Sequence, residues 1–242
     1  MVIKFKNKQE FENYIKQLPC IGIGSQGVCY LDIKNNIVYK IFHSYFEEGL
    51  INEFSYDDFM KFSQIKNKTF IWPSNVITIN DLIVGYTIDY KKANNLYRQD
   101  PLMVNLNQFE NGIIKAQKDI KLLTNNDVAI YDIMYNILYT TANFYVIDTI
   151  EYENRKVSYN HNVKGFDYEL KHFLTDGFFD DFIKANRLLL EQYKDSKASS
   201  LMFLKELKKQ LSEYLDKKII TLGDAKKLVK KNVNHLYFRD IK

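Results

Sequence analysis

The stretch from 21 to 42 constrains the fold of this chain more than any other. Three glycines near its start have the spacing G-x-G-x-x-G: Gly22, Gly24 and Gly27. Two apolar runs follow, separated by a polar turn at 34–36, and the second run contains a single lysine, Lys40. Apolar runs on both sides of such a turn are typical of a β-hairpin. The sequence therefore predicts two strands with a glycine loop at their open end.

The loop can be interpreted in two ways as a ligand site. Glycine has no Cβ, so backbone N–H groups can approach a phosphate closely. A dinucleotide-binding fold needs such a loop to enter a helix, with an acidic residue about 20 positions later. Here the loop enters the β-rich run 28–31 instead. This favours a loop that covers ATP phosphates while Lys40 pairs with them. A plain hairpin with a solvated lysine is the alternative for the isolated motif.

Composition limits the class of protein. The 242 residues are 46% hydrophobic and 15% aromatic, which suffices for a core in one domain or two small lobes. The net charge of +4 and the scattered lysine groups indicate solvated helix faces, so we expect no nucleic-acid partner. Cys20 and Cys29 show no metal-ligand spacing, and we expect both to be reduced. No apolar run is long enough for a signal peptide or a membrane span, and we expect a cytoplasmic protein.

The first 90 residues predict a small antiparallel sheet with one packed helix. A short helix is expected over 8–18, and a longer one over 44–66 that carries Glu53. A second hairpin follows, with strands at 76–79 and 82–88 around Asn80-Asp81. The polar stretch after it breaks the periodicity and suggests a hinge. We therefore expect two lobes, residues 1–90 and 91–242.

The second lobe is expected to be mainly helical. Apolar periodicity predicts one or two helices between 102 and 123, and further helices at 167–174, 178–190, 199–215 and 225–233. Between them lie two short strands around a turn at 140–143. Asp132 and Asn136 precede the first strand, and Asp148 ends the second.

These three residues suit phosphoryl transfer. The reaction needs a base near the acceptor hydroxyl, oxygen ligands for Mg²⁺ and positive charge beside the phosphates. Asp132 can be the base, Asn136 and Asp148 the metal ligands, and Lys40 the positive charge. Taken singly, the same residues suit turns and a helix N-cap.

Together these motifs resemble the protein-kinase-like superfamily, especially small atypical bacterial kinase-like proteins and the aminoglycoside and choline phosphotransferases. The resemblance implies an α+β, two-lobed fold that binds ATP and Mg²⁺ and acts on an unknown protein or small-molecule acceptor. It implies that the glycine loop and Lys40 hold the phosphates and that Glu53 steadies Lys40. The adenine would face the segment 87–90, with Ile88 and Tyr90 as its contacts.

The chain also departs from the family pattern. The H-R-D motif becomes Ile130-Tyr131-Asp132, three residues instead of four separate Asp132 from Asn136, and the D-F-G motif becomes Asp148-Thr149-Ile150. These differences leave two alternatives open. One is a pseudokinase that binds a partner or senses nucleotide without catalysis, and the other is AMP transfer on the same fold.

Overall fold

The computed structural model of this α+β protein describes residues 1–47, 54–175 and 179–228, which fall into two compact units. The first unit takes its described residues from Met1–Lys66, Ile71–Lys92 and Asp148–Ile150. The second takes its described residues from Asn67–Phe70, Ala93–Ile147 and Glu151–Lys242. The chain therefore returns to the first unit for three residues that begin with Asp148.

A six-stranded sheet forms the first unit. Its strands are β1 (Val2–Phe5), β2 (Cys20–Ile23), β3 (Gly27–Asp32), β4 (Ile37–Phe42), β5 (Pro73–Ile79) and β6 (Leu82–Asp89). Their order is β1-β5-β6-β4-β3-β2. Both predicted hairpins are present, as β3–β4 and β5–β6. The sheet is mixed and not purely antiparallel, because β1 adds to the edge of β5 in parallel register.

Each face of this sheet packs against a helix, whereas the sequence predicted only one packed helix. Alternate residues of a strand point to opposite faces. Tyr39 and Ile41 of β4 pack in a cluster with Phe11 from helix α1 (Lys8–Ile15). Phe42 packs in a separate cluster with Phe59 from helix α3 (Tyr56–Met60). Lys40 lies between Tyr39 and Ile41, so it shares its face with Phe42.

The predicted single helix over 44–66 is wrong. Helix α2 (His43–Phe46) ends at Glu47, whose backbone is extended. Helix α3 starts afresh after Ser55, and Ser55 and Asp58 form a capping box. A capping box marks a helix N-terminus because both side chains satisfy backbone N–H groups that lack helical partners. Glu53 lies outside the described residues.

Helices dominate the second unit. They are α4 (Leu106–Asn125), α5 (Tyr159–Thr175), α6 (Asp180–Ala185), α7 (Arg187–Lys194) and α8 (Ser200–Leu215). Single 3₁₀ turns cover Leu96–Arg98 and Pro101–Met103, and the 3₁₀ segment Leu222–Leu228 is kinked at Ala225. Five short strands accompany them: β7 (Asn94–Asn95), β8 (Val128–Ala129), β9 (Ile137–Thr140), β10 (Asn143–Val146) and β11 (Glu153–Asn154). They form the sheets β10-β9-β7 and β11-β8.

Only some of the helices predicted for this unit are present as predicted. The helix expected over 199–215 is confirmed, with Ser199 as its N-cap. The helix expected over 178–190 is divided at Asn186, because the Asn186 side chain accepts the Leu189 N–H and caps α7. A 3₁₀ turn takes the place of the start of the last predicted helix, and residues from 229 onward lie outside the described residues.

Aromatic side chains fill the core of the second unit. Phe109 of α4 packs edge-on against Phe144 of β10 and stacks on Phe173 of α5. Phe144 also meets Phe166 of α5 edge-on. Gly112 lets α4 approach the Phe144 ring closely, since a Cβ at this position would lie 2.8 Å from the ring. The β9–β10 hairpin is thereby fixed on α4 and α5, and with it the position of the residues that precede β9.

Candidate functional site

The glycine loop is a tight turn that closes the β2–β3 hairpin. Ser25 and Gln26 form its tip, and the Gly24 N–H donates to the Gly27 carbonyl oxygen at 2.9 Å. Gly27 is required by packing, because an ideal Cβ there would lie 2.2 Å from the carbonyl oxygen of Ile41 in β4. Real Cβ atoms do not approach that closely. The third glycine of the motif therefore has a structural role in the sheet.

The first two glycines have no such role among the described residues. A Cβ at Gly22 would have nothing within 4 Å, and one at Gly24 would meet only the Gly27 carbonyl oxygen at 3.8 Å. Neither residue has the left-handed backbone conformation that favours glycine. What both positions do offer is a backbone that an outside group can approach closely.

Lys40 is held in a buried ion pair with Asp148. Only 10% of the Lys40 side chain and 20% of the Asp148 side chain are exposed. The Lys40 ammonium donates to Asp148 Oδ1, and also to Gln26 Oε1 at 3.0 Å. It lies 5.7 Å from the centre of the Tyr86 ring, and the Tyr86 hydroxyl donates to the same Asp148 oxygen at 3.1 Å. A predicted phosphate-binding cation and a predicted metal ligand thus meet beside the glycine turn.

Asp148 reaches this position through an unusual backbone. Its φ is 62°, in the left-handed region, which Asp tolerates better than most residues. The Thr149 hydroxyl donates to the Ile71 carbonyl oxygen at 3.1 Å, and Ile150 packs with Phe42 and Val76. These anchors on both following residues fix the direction of the Asp148 carboxylate within the first unit.

The predicted adenine contacts lie at the end of β6. Ile88 pairs with Val38 of β4 and with Pro73 of β5. The Tyr90 N–H donates to the Asn36 carbonyl oxygen at 2.9 Å, and the Asn36 side chain donates back to the Tyr90 carbonyl oxygen at 3.4 Å. The Tyr90 N–H is therefore already engaged, whereas its carbonyl oxygen can accept a second hydrogen bond from a donor such as an adenine amino group.

Asp132 and Asn136 lie in one tight loop between β8 and β9. Asn136 Nδ2 donates to the Asp132 carbonyl oxygen at 2.8 Å, while its backbone N–H donates to Ile133 at 3.1 Å. Asp132 and Tyr135 both have a positive φ, 43° and 62°. The Asp132 side chain is exposed. The shortened spacing thus still brings Asp132 and Asn136 into contact, with the carboxylate facing solvent.

Two buried polar residues of α5, neither of them predicted from the sequence, hold this loop. Asn162 Oδ1 accepts the Ile130 N–H at 2.8 Å. The Glu169 carboxylate accepts the Tyr135 N–H and the Tyr97 hydroxyl. Seven residues are about two helical turns, so both side chains lie on the same face of α5. The sequence feature that could have identified them is a pair of polar residues, seven positions apart, on a helix face that is otherwise apolar.

Tyr135 is fixed from three directions. Besides the Glu169 contact, Asn95 Nδ2 donates to the Tyr135 carbonyl oxygen at 2.7 Å, and the Tyr97 and Tyr135 rings lie 5.1 Å apart. A left-handed non-glycine residue costs about 1–2 kcal/mol and persists where neighbours over-determine it. Such strain concentrates at functional sites, which makes this loop a candidate for one.

The burial of Glu169 predicts a pH-dependent stability. Burial raises the pKa of the Glu169 carboxyl above its usual range, although its hydrogen bonds oppose this. The folded protein therefore keeps this proton at pH values where the unfolded chain loses it, and stability falls as pH rises through that window. We expect the urea midpoint to fall, relative to that of Glu169→Gln, as the pH rises above the usual range of a glutamate carboxyl. The Glu169→Gln side chain keeps an acceptor oxygen but does not titrate. Parallel curves for the two proteins would contradict this assignment.

An arginine contacts the residue that precedes Asp132, although none lies close to it in the sequence. Arg155 donates to the Tyr131 hydroxyl, and its guanidinium carbon lies 5.6 Å from the centre of the Tyr131 ring. Glu153 accepts from the same hydroxyl at 3.0 Å and pairs with Arg155 Nε at 3.3 Å. The residue preceding Asp132 is thus held by a neutralised, exposed ion pair.

Other expectations concern metals, thiols and membranes. Over 1–47, 54–175 and 179–228, no group of three or more His, Cys, Asp and Glu side chains is arranged to hold a metal ion. Mg²⁺ bound through phosphates needs only one or two protein ligands, so Asn136 and Asp148 remain candidates. Cys20 and Cys29 are free thiols, and burial raises the pKa of Cys29 to about 11. Among the described helices, none is both long and apolar enough to cross a bilayer.

Neither a scan against models of protein families nor a search of curated proteins finds a match to this chain.

Proposed function

We propose that this chain is an ATP- and Mg²⁺-dependent phosphotransferase of the kinase-like superfamily. The observation that supports this best is the buried Lys40–Asp148 pair, joined to the glycine turn by Gln26. A lysine on a strand beside a glycine turn suits the phosphates of a nucleotide. A carboxylate fixed next to that lysine suits the metal that accompanies them.

Each residue has one role in this proposal. Lys40 neutralises the phosphates, and the backbone of Gly22 and Gly24 lies against them. Asn136 and Asp148 would supply oxygen ligands to Mg²⁺, which would neutralise charge on the phosphate oxygens. Ile88 and Tyr90 border the adenine.

The transfer step itself needs one base. The acceptor hydroxyl oxygen forms a bond to the γ-phosphorus, the bond from that phosphorus to the β–γ bridging oxygen breaks, and ADP leaves. The Asp132 carboxylate takes the hydroxyl proton. The acceptor belongs to a protein or a small molecule, and AMP transfer would instead join the α-phosphorus to it and release pyrophosphate.

A pseudokinase is the second candidate, and one observation favours it. The Lys40 ammonium already has Asp148 and Gln26 as acceptors within the protein. Lys40 therefore has a structural role even without a nucleotide. A protein that binds ATP but neither hydrolyses nor transfers it would have this function.

Calorimetric titration of ATP tests the proposal. We expect ATP to bind in the presence of Mg²⁺ and to bind more weakly after the metal is removed with EDTA. Asp148→Asn should weaken Mg²⁺-dependent binding by about 10- to 100-fold, the range for a lost charged contact. Asp81→Asn is the matched control, because Asp81 is highly exposed and pairs only with exposed Lys4 among the described residues. No binding of ATP by the wild-type protein under either condition would refute the proposal.

A further inference from the structure

His43 contacts the glycine turn at two points. It is the first residue after β4, at the start of α2. Its backbone N–H donates to the Gln26 carbonyl oxygen at 3.0 Å. Its ring Nε2 lies 2.8 Å from the Gly24 carbonyl oxygen, within hydrogen-bond distance. Since a carbonyl only accepts, Nε2 carries the proton in this contact.

The ring contact fixes the orientation of one peptide group. The peptide bond is planar and trans, so the carbonyl of one residue and the N–H of the next point in opposite directions. Because the Gly24 carbonyl points to His43, the Ser25 N–H points away from it. Ser25 is exposed, and its N–H has no hydrogen-bond partner within the described parts of the chain. A backbone N–H in this state is a donor available to an anion.

The same turn lies close to the Lys40 ammonium. The Gln26 side chain spans the gap, with its Oε1 at 3.0 Å from Lys40 Nζ. The turn therefore offers its oriented donor within one side-chain length of a positive charge. The open positions of Gly22 and Gly24 let a ligand approach the same backbone.

We infer that His43 is a positioning residue for nucleotide binding, which orients the Ser25 amide toward a phosphate oxygen. This inference rests on the function proposed above, because the ligand is the phosphate chain of ATP. His43 acts through the turn and does not itself touch the nucleotide. Its effect is therefore confined to ligands that carry phosphates.

The test compares His43→Ala with His43→Gln, titrating ATP and adenosine into each. The Gln side-chain nitrogen reaches about as far as histidine Nε2 and can donate to the same carbonyl. We expect His43→Ala to weaken ATP binding by about three- to tenfold, as for one lost hydrogen bond. Adenosine binding should be unchanged, and His43→Gln should bind ATP nearly as well as the wild type. His172→Ala, which removes a histidine from α5, is the control.

An amide spectrum provides a second measurement. In ¹⁵N-labelled wild-type protein, ATP should shift the Ser25 N–H resonance, and this shift should be lost in His43→Ala. If the wild type binds ATP but His43→Ala binds it equally well, the role of His43 is refuted and the proposed function stands. An equal loss of ATP and adenosine binding would also refute it, because it indicates a general distortion. No ATP binding by the wild type would refute both.

Discussion

The Asp132→Asn protein is expected to lose phosphoryl transfer by about 10²- to 10⁴-fold, the usual contribution of a general base. Its ATP affinity should stay within about twofold of the wild type, because in our proposal Asp132 acts on the acceptor hydroxyl and does not hold the phosphates. Asn tolerates the left-handed backbone that Asp132 adopts, so the loop should keep its shape. The measurement is the rate of ATP hydrolysis in the absence of acceptor, together with ATP titration.

Asp127→Asn is the matched control for this experiment. Asp127 lies five positions earlier, is also exposed and has a φ of 56°, so the same change is made in a similar backbone. Hydrolysis at the wild-type rate in Asp132→Asn would show that Asp132 is not the base. Equal losses in both variants would indicate a disturbed fold. The mass added to any modified acceptor distinguishes phosphoryl from AMP transfer.

A methyl group added at Gly27 is expected to destabilise the first unit severely. Its Cβ would lie 2.2 Å from the Ile41 carbonyl oxygen and 2.8 Å from the carbonyl carbon, and backbone atoms of a central strand cannot move aside cheaply. We expect Gly27→Ala to lose about 3 kcal/mol or more of the free energy of unfolding, measured by urea denaturation. If the variant does not fold at all, its absence from the soluble fraction would likewise indicate a large loss of stability.

Gly22→Ala is the comparison within the same motif. Nothing lies within 4 Å of its added Cβ, so the free energy of unfolding should change by about 0.5 kcal/mol at most. We nevertheless expect weaker ATP binding, because in our proposal the phosphates lie against the Gly22 backbone, where the methyl group would obstruct them. Unchanged ATP affinity in a stable Gly22→Ala protein would argue against this glycine as part of the site. A large loss of stability would contradict the open space around it.

Local patterns in the sequence were sufficient to predict the two hairpins and the position of Lys40 in a strand. Period-two alternation and turn residues act over a few positions, and β3–β4 and β5–β6 follow them. The parallel addition of β1 depends on pairing between Val2–Phe5 and residues more than 70 positions away. No local pattern encodes such a contact. The helix predicted over 44–66 failed because apolar spacing continued through the Ser55 cap.

For the candidate site, the sequence suggested individual residues but not the contacts between them. The motif order suggested Lys40, Asp132, Asn136 and Asp148 as functional residues, and their roles stay predictions. Neither the Lys40–Asp148 contact nor the support from Glu169 could be derived from spacing. Both join residues that are far apart in the chain, and their partners are fixed only when the core packs. Glu53 lies outside the described residues, so its predicted pairing with Lys40 also stays a prediction.

If Lys40 binds a nucleotide as proposed, its hydrogen bond to Gln26 would favour selection of that ligand by charge more than by size. A ligand that takes the place of Gln26 on the ammonium would replace an amide oxygen 3.0 Å away. For a neutral ligand this exchanges one ordinary acceptor for another and gains little. A polyanion gains a charge-assisted contact in a partly desolvated setting, where such contacts are about twice as strong. Adenosine and ATP would therefore be separated at this lysine even if both fitted equally well beside it.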